Sequence, residues 1–200
     1  MIAGVDEAGR GSWAGPVVAA AVILPRSLPN VRLDDSKRLS PAQRERACAV
    51  LRERASIGVG IVSAGAIDRT DILRATLAAM QQAVEQLRPA PGLVLIDGIS
   101  APALAIPCRT IIDGDQLHPA ISAASIVAKV TRDALMRFYH RLLPDYAFDQ
   151  HKGYGTALHQ ARLAACGPSL LHRLSFRPVT PTDPSAPASG QLELSLAGDA

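Results

Sequence analysis

Met1-Ile-Ala-Gly-Val-Asp-Glu-Ala-Gly-Arg-Gly-Ser-Trp-Ala-Gly-Pro16 opens the chain and governs how the rest is arranged. A short apolar run, Ile2 to Val5, meets two adjacent acids, Asp6 and Glu7. Glycines follow at 9, 11 and 15, with Arg10 between the first two, and the chain turns apolar again from Val17 to Leu24. This pattern predicts a strand, a glycine-rich turn and a second strand, a hairpin-like pair. Neighbouring side chains on a regular strand face opposite ways, so Asp6 and Glu7 can serve one site only if the strand distorts between them. Clustered carboxylates repel, and burying them is costly unless a cation holds them. Glycine lets a ligand approach the main chain closely. The stretch therefore suits a metal beside a phosphate-bearing ligand, with a solvated strand end and a plain turn as the alternative. No Gly-Lys-Ser/Thr follows the glycines, which argues against a triphosphate-binding loop.

Two hundred residues give one domain, or one domain with an appendage. The hydrophobic fraction of 48% supports a sizeable core, and only 4% is aromatic, so that core is built from Ala, Leu, Val and Ile. The net charge is +3, but the last twenty residues hold three acids and no Lys or Arg, so the first 180 carry +6. That excess permits nucleic-acid binding. Cys48, Cys108 and Cys166 are far apart with no CxxC spacing, which suggests neither a zinc knuckle nor a disulfide framework. The N-terminus has no basic segment leading into an apolar one, and no run is long enough to span a bilayer. The expectation is a soluble, cytoplasmic protein with no membrane association.

Pro25 and Pro29 open a loop that carries Lys37, either a solvated lysine or a phosphate contact. Ser40 is a good N-cap, with Pro41 at the first position of a helix reaching about Arg54. Ile57 to Ser63 predicts a third strand. A helix from about Asp71 to Leu87 follows, with Ile72, Leu73, Leu77, Met80, Val84 and Leu87 as its core face. Leu93-Val-Leu-Ile-Asp97-Gly98 is a wholly apolar strand ending in an acid, which repeats the pattern at Asp6. In α/β sheets ligands bind at that edge, so Asp6, Glu7 and Asp97 are expected to converge. A fifth strand is predicted over 105–112, and a long helix over about 119–143 that opens on small apolar residues and has a basic later half containing Lys129, Arg132, Arg137 and Arg141. Asp115, just before that helix, is a fourth carboxylate, an N-cap or a turn acid; spacing does not separate these. His151-Lys-Gly-Tyr-Gly-Thr156 combines basic groups with Tyr154, which suits a sugar–phosphate backbone and one stacking platform. A short helix is predicted from Ala157 to Cys166. Beyond Pro178 the composition becomes rich in Pro, Ser and Thr, an extended tail ending in Gln191-Leu-Glu-Leu-Ser-Leu196.

The chain resembles bacterial ribonuclease HII. The resemblance rests on Gly4-Val-Asp-Glu-Ala-Gly-Arg-Gly11 with Ala14 to Val22, on Asp35-Ser-Lys-Arg-Leu-Ser40, on Ile96-Asp-Gly98, and on Gly114-Asp115 leading to Ile121–Asp133. His151–Thr156 and His172–Val179 complete it. It covers residues 1 to about 180 in order, and it departs at Ser12-Trp13, where the family often has Pro-Leu. The resemblance implies a ribonuclease H-like α/β fold: a five-stranded mixed sheet flanked by helices, with a C-terminal helical part. It implies a catalytic, metal-binding set of Asp6, Glu7, Asp97 and Asp115, with Asp113 next to the fourth position. The two Mg²⁺ or Mn²⁺ ions it implies would be about 3.5–4 Å apart. By the same resemblance, Gly9, Arg10 and Gly11 read a ribose 2′-hydroxyl through the main chain, and Tyr154 stacks on the next sugar. Lys37 and Lys129 become phosphate candidates. The implied activity is hydrolysis of RNA paired to DNA, including the 5′ side of a ribonucleotide embedded in duplex DNA, by a monomer. The Gln191–Leu196 peptide is similar to bacterial sliding-clamp-binding peptides. The expected division is a catalytic domain over 1–180 and a tail over 181–200. Two other readings use the same residues: a non-catalytic hybrid-binding module, and another two-metal nuclease on this fold.

Overall fold

The computed structural model describes residues 1–28, 33, 34, 36 and 38–179. Lys37 and the Gln191–Leu196 peptide lie outside them. Strands β1 (Ile2–Ala8) and β2 (Val17–Ile23) form the expected antiparallel pair. Helix α1 (Pro41–Arg54) begins where predicted. Ser40 Oγ accepts the Gln43 N–H, and the Gln43 side chain returns to accept the Ser40 N–H at 2.8 Å, which satisfies two amides that the helix itself leaves unpaired. Strand β3 (Ser56–Val62), short helix α2 (Ala64–Arg69), helix α3 (Ile72–Glu85) and strand β4 (Leu93–Asp97) follow. Next come strand β5 (Cys108–Ile111), one-turn helix α4 (Gly114–Leu117), helix α5 (Pro119–Leu142), short helix α6 (Phe148–His151) and helix α7 (Ala157–Cys166). The five-stranded sheet has the order β3-β2-β1-β4-β5. It is antiparallel on the β3-β2-β1 side and parallel from β1 through β4 to β5, a mixed sheet as expected.

Strand alternation divides the core into two layers. Val17, Ala19, Ala21 and Ile23 of β2, with Ala3, Val5, Val94 and Ile96, face α3. Ala20 and Val22 face α1 and α5. The buried face of α3, with Leu87 just beyond the helix, contains the predicted Ile72, Leu77, Met80, Val84 and Leu87 but not Leu73, and it is wider than predicted. Ala75, Ala79 and Ala83 join Met80, Val84 and Leu87 inside, while Leu73 is 42% exposed. The cause lies in β3. A Cβ on Gly58 would lie 1.9 Å from the Ala83 carbonyl oxygen, and one on Gly60 would lie 1.8 Å from that of Ala79. The helix thus rests on bare strand backbone, and only small residues fit the seam. Gln82 of α3 and Gln86, the residue just after it, also hydrogen-bond the outer edge of β3 at Ile61 N, Val59 N and Val59 O, covering an edge that would otherwise be open for pairing.

The same device seats α5. A Cβ on Gly4 would meet the Ala120 carbonyl carbon at 2.1 Å. The small-residue start of α5 therefore crosses directly over β1, beside Asp6. Strand β5 is shorter than predicted and begins only after Pro107.

Candidate active site

Asp6 closes the buried part of β1, and Asp97 is the last residue of β4. Pairing between these parallel strands ends at Val5↔Ile96, so the two acids stand just beyond the last paired residues, at the carboxyl edge of the sheet. Alternation puts both on the α5 side. Glu7, of opposite parity, comes from the α3 side of the same edge. The strand does not distort, since the ladder with β2 continues unbroken through Ala8↔Val18. The condition set by alternation is therefore corrected: at the end of the strand the Glu7 charge still reaches Asp6 from the other face.

Asp6 is only 5% exposed. Its Oδ1 accepts the Glu7 N–H at 2.6 Å, and its carboxyl also accepts a hydrogen bond from Ser125 of α5. Burial pushes its pKa up to about 8, with the negative charges of Glu7 and Asp97 adding to the effect and the two hydrogen bonds opposing it. Three acids thus act electrostatically on one spot. Asp97 Oδ1 accepts the Gly114 N–H at 2.8 Å, which ties the start of α4 to the end of β4. Asp115 lies in the first turn of α4 and is buried, and its carbonyl accepts from Ser122 Oγ. Asp113, in a left-handed conformation, holds the N-cap position, so Asp115 is not the cap. Among the described residues, no three His, Cys, Asp or Glu side chains are gathered closely enough to form a ready-made metal cage. The donor set is nevertheless all carboxylate oxygen, the chemistry that suits Mg²⁺ or Mn²⁺. A carboxyl whose pKa is raised by burial and then by neighbouring negative charge is the electrostatic setting that a divalent cation relieves.

The glycine loop and the Tyr154 loop lie side by side. The N–H groups of Trp13 and Ala14 both donate to the Gly153 carbonyl. Arg10 is exposed and pairs with Glu7 at 3.5 Å. Tyr154 is 36% exposed. Lys129 Nζ lies 5.6 Å from the centre of its ring, and the Arg132 guanidinium 5.3 Å. Lys129 is engaged by Asp133 at 2.7 Å.

Several residues that the sequence reading passed over hold this region together. Arg132, placed by sequence on a basic helix face, is 0% exposed, as is Arg173. The expectation of a basic His151 loop needs a correction, because His151 is buried and burial lowers its pKa. His159 Nδ1 faces the Tyr154 carbonyl at 3.0 Å and so carries a proton, which leaves its Nε2 to accept from His172 Nε2 at 3.1 Å. His172 Nδ1 then accepts the Ser169 N–H at 2.9 Å. Burial, and then the neighbouring imidazoles, hold both His159 and His172 down to about 4. Trp13 lies against Gly155, where a Cβ would come within 2.3 Å of the indole, and its ring centre is 5.3 Å from that of His159.

The model of the family described as Ribonuclease HII matches residues 3–179. The chain belongs to the ribonuclease HII family. A ribonuclease HII from Dichelobacter nodosus is 57% identical over 180 residues, spanning 90% of this chain and 95% of that one. One from Geobacter sulfurreducens is 54% identical, spanning 89% and 82%. Ribonuclease HII membership makes the chain a ribonuclease H-type endoribonuclease. Among solved structures, ribonuclease H2 of Pyrococcus horikoshii superposes with a TM-score of 0.74 at 22% identity, covering 89% of this chain and 94% of that one. The ribonuclease HII of Archaeoglobus fulgidus, solved in complex with PCNA, gives 0.73 at 24% identity, covering 88% and 95%. A Bst-RNase HIII solved with Mn²⁺ gives 0.72 at 19% identity, covering 89% and 67%. At these identities the structures speak for the fold.

Proposed function

We propose that the protein hydrolyses the RNA strand of RNA·DNA hybrids and cuts on the 5′ side of ribonucleotides embedded in duplex DNA, leaving a 5′-phosphate and a 3′-hydroxyl. The observation that carries this reading is the meeting of Asp6 and Asp97 at one sheet edge, with Glu7 near enough to raise Asp6 further, in a ribonuclease HII-family chain. A non-catalytic hybrid-binding module is disfavoured, since bare carboxylates aimed at phosphates repel them.

Asp6, Glu7, Asp97 and Asp115 would hold divalent cations, Mg²⁺ or the Mn²⁺ found with the Bst enzyme. When bound, such ions activate a water and stabilise the charge that develops on the attacking and leaving oxygens. The chain's own residues do the rest. Ser125 and the Glu7 amide orient the Asp6 carboxyl, and the Gly114 amide orients that of Asp97. Gly9, Arg10 and Gly11 would meet the ribose 2′-hydroxyl, the group that separates RNA from DNA. Tyr154, exposed on one face and flanked by cations, would stack on the adjoining sugar. Lys129 and Lys37 remain phosphate candidates, Lys129 as part of its pair with Asp133. Residues 1–180 would form the catalytic unit. Gln191–Leu196 would engage a sliding clamp, as the PCNA complex of the archaeal enzyme suggests; loss of clamp pull-down on deleting residues 190–200 is the expected result. The primary test is metal-dependent cleavage of a duplex holding one ribonucleotide, with all-DNA and all-RNA duplexes as controls. Equal cutting of all three, or of none, would overturn the reading.

A further inference from the structure

Two arginines lie wholly inside the protein, and neither forms an ion pair among the described residues. All of their hydrogen bonds run to main-chain carbonyls of the two loops that border the site. Arg132 donates from Nε to Pro16 at 3.0 Å, from Nη2 to Ala14 at 3.0 Å and from Nη1 to Lys152 at 2.9 Å. Arg173 donates from Nε and Nη2 to Gly15 at 3.1 and 2.9 Å, from Nη1 to Arg10 at 2.8 Å and from Nη2 to Gly9 at 2.7 Å. Gly9 has a φ of +95°, and a Cβ there would lie 2.0 Å from Arg132 Nε, so the loop is moulded onto the guanidinium.

The direction of these bonds has a chemical consequence. In a trans peptide the N–H of one residue points opposite to the carbonyl of the residue before it. Arg173 draws the Gly9 and Arg10 carbonyls inward, so the N–H groups of Arg10 and Gly11 are turned outward. Neither amide has a hydrogen-bond partner among the described residues, and both residues are exposed. Successive outward amides backed by buried positive charge make a concavity that receives a lone pair or an anion. We infer that Arg173, braced by Arg132, is a positioning residue that presets the Arg10 and Gly11 amides for a ribose hydroxyl, and so sets the preference for a ribonucleotide over a deoxyribonucleotide. This deepens the functional reading above and rests on it.

The test is Arg173→Lys, which keeps the charge but replaces a planar fork by a single nitrogen that cannot span three carbonyls. Binding is compared for a duplex with one ribonucleotide and the same duplex in all-DNA form, in an Asp97→Asn background that prevents turnover. Arg173→Lys is expected to lose at least tenfold more affinity for the first duplex than for the second, and with Asp97 intact its kcat/KM on the first should fall in step. A merely structural role would weaken both equally, and that result, or an unchanged preference, overturns the inference. Should Arg173→Lys fail to fold, the Asp97→Asn protein with Arg173 intact decides. Its Arg10 and Gly11 amide resonances should shift with the one-ribonucleotide duplex and much less with the all-DNA one; equal shifts overturn the inference. If the wild-type protein cuts no ribonucleotide-containing duplex at all, the functional reading falls first. If it cuts and the preference survives Arg173→Lys, only the arginine assignment falls.

Discussion

Asp6 concentrates the chemistry of the site because it is buried, hydrogen-bonded by Ser125 and the Glu7 amide, and pressed by two other acids. Replacing it by Asn preserves shape and removes the ionisable oxygen that a cation would bind. Asp6→Asn should fold normally and lose at least about a thousandfold in kcat with Mg²⁺; near-normal turnover would discard the assignment. The same substitution should abolish stabilisation by metal. For the wild-type protein that gain is expected to reach about 2.7 kcal/mol with Mn²⁺ at a hundred times its Kd, read as a rise in Tm that the variant lacks. Tyr154 makes a different contribution, since its half-exposed ring packs against cations rather than in the core. Tyr154→Ala should lower kcat/KM on an embedded ribonucleotide roughly tenfold, in line with one lost stacking contact, while Tm stays within a few degrees. An unchanged rate removes its role. Asp6 and Asp97 are visible in the sequence as acids closing apolar runs, a local pattern. Arg132 and Arg173 are not, because a buried guanidinium bonded to distant carbonyls looks in sequence like any basic surface residue.

Helices α3 and α5 reach the sheet through glycines, and this decides where the site residues stand. Gly60→Ala would drive a methyl group to 1.8 Å from the Ala79 carbonyl oxygen, backbone against backbone. It should destabilise the protein by about 3 kcal/mol or more, seen as a shift of the urea midpoint; a loss below about 1 kcal/mol would show that the seam is slack. The alternating glycines of β3 signalled a strand but not what they made room for, and so leucine spacing found most of the buried face of α3 but missed its alanine seam and wrongly included Leu73. Long elements with strong caps, such as α1 behind Ser40 and Pro41, were legible almost to the residue. The one-turn helices α4 and α6 were not, because four residues carry no helical period and form only where neighbouring elements hold them.

Across the whole molecule, residues 171–175 fold back over the glycine loop. Gly15 N donates to the Leu171 carbonyl and Arg173 N to that of Trp13, while the Asp68 carboxylate receives the Leu174 and Ser175 amides. The linked imidazoles of His159 and His172 lie inside this closure and stay neutral. Their folded pKa values, about 4, lie below the ordinary 6.5, so the unfolded chain takes up protons first as pH falls. In an Asp6→Asn protein, which lacks the opposite contribution that the raised Asp6 carboxyl makes below about pH 8, stability should therefore hold above pH 6.5 and decline towards pH 4, with a slope approaching about 1.4 kcal/mol per pH unit for each ring. Urea midpoints at pH 7, 6 and 5 check this, and a flat series would show that the rings titrate freely. This network escaped the sequence because His151 is read there as part of a basic loop and His159 lies unremarked in a predicted helix, and only the packing of these rings with His172 makes them neutral. Trp13 is the only tryptophan in the chain and sits between Gly155 and His159. Indole emission from the entire protein thus originates at one point beside the Tyr154 loop, and the molecule carries a built-in, label-free optical gauge of events in its own groove.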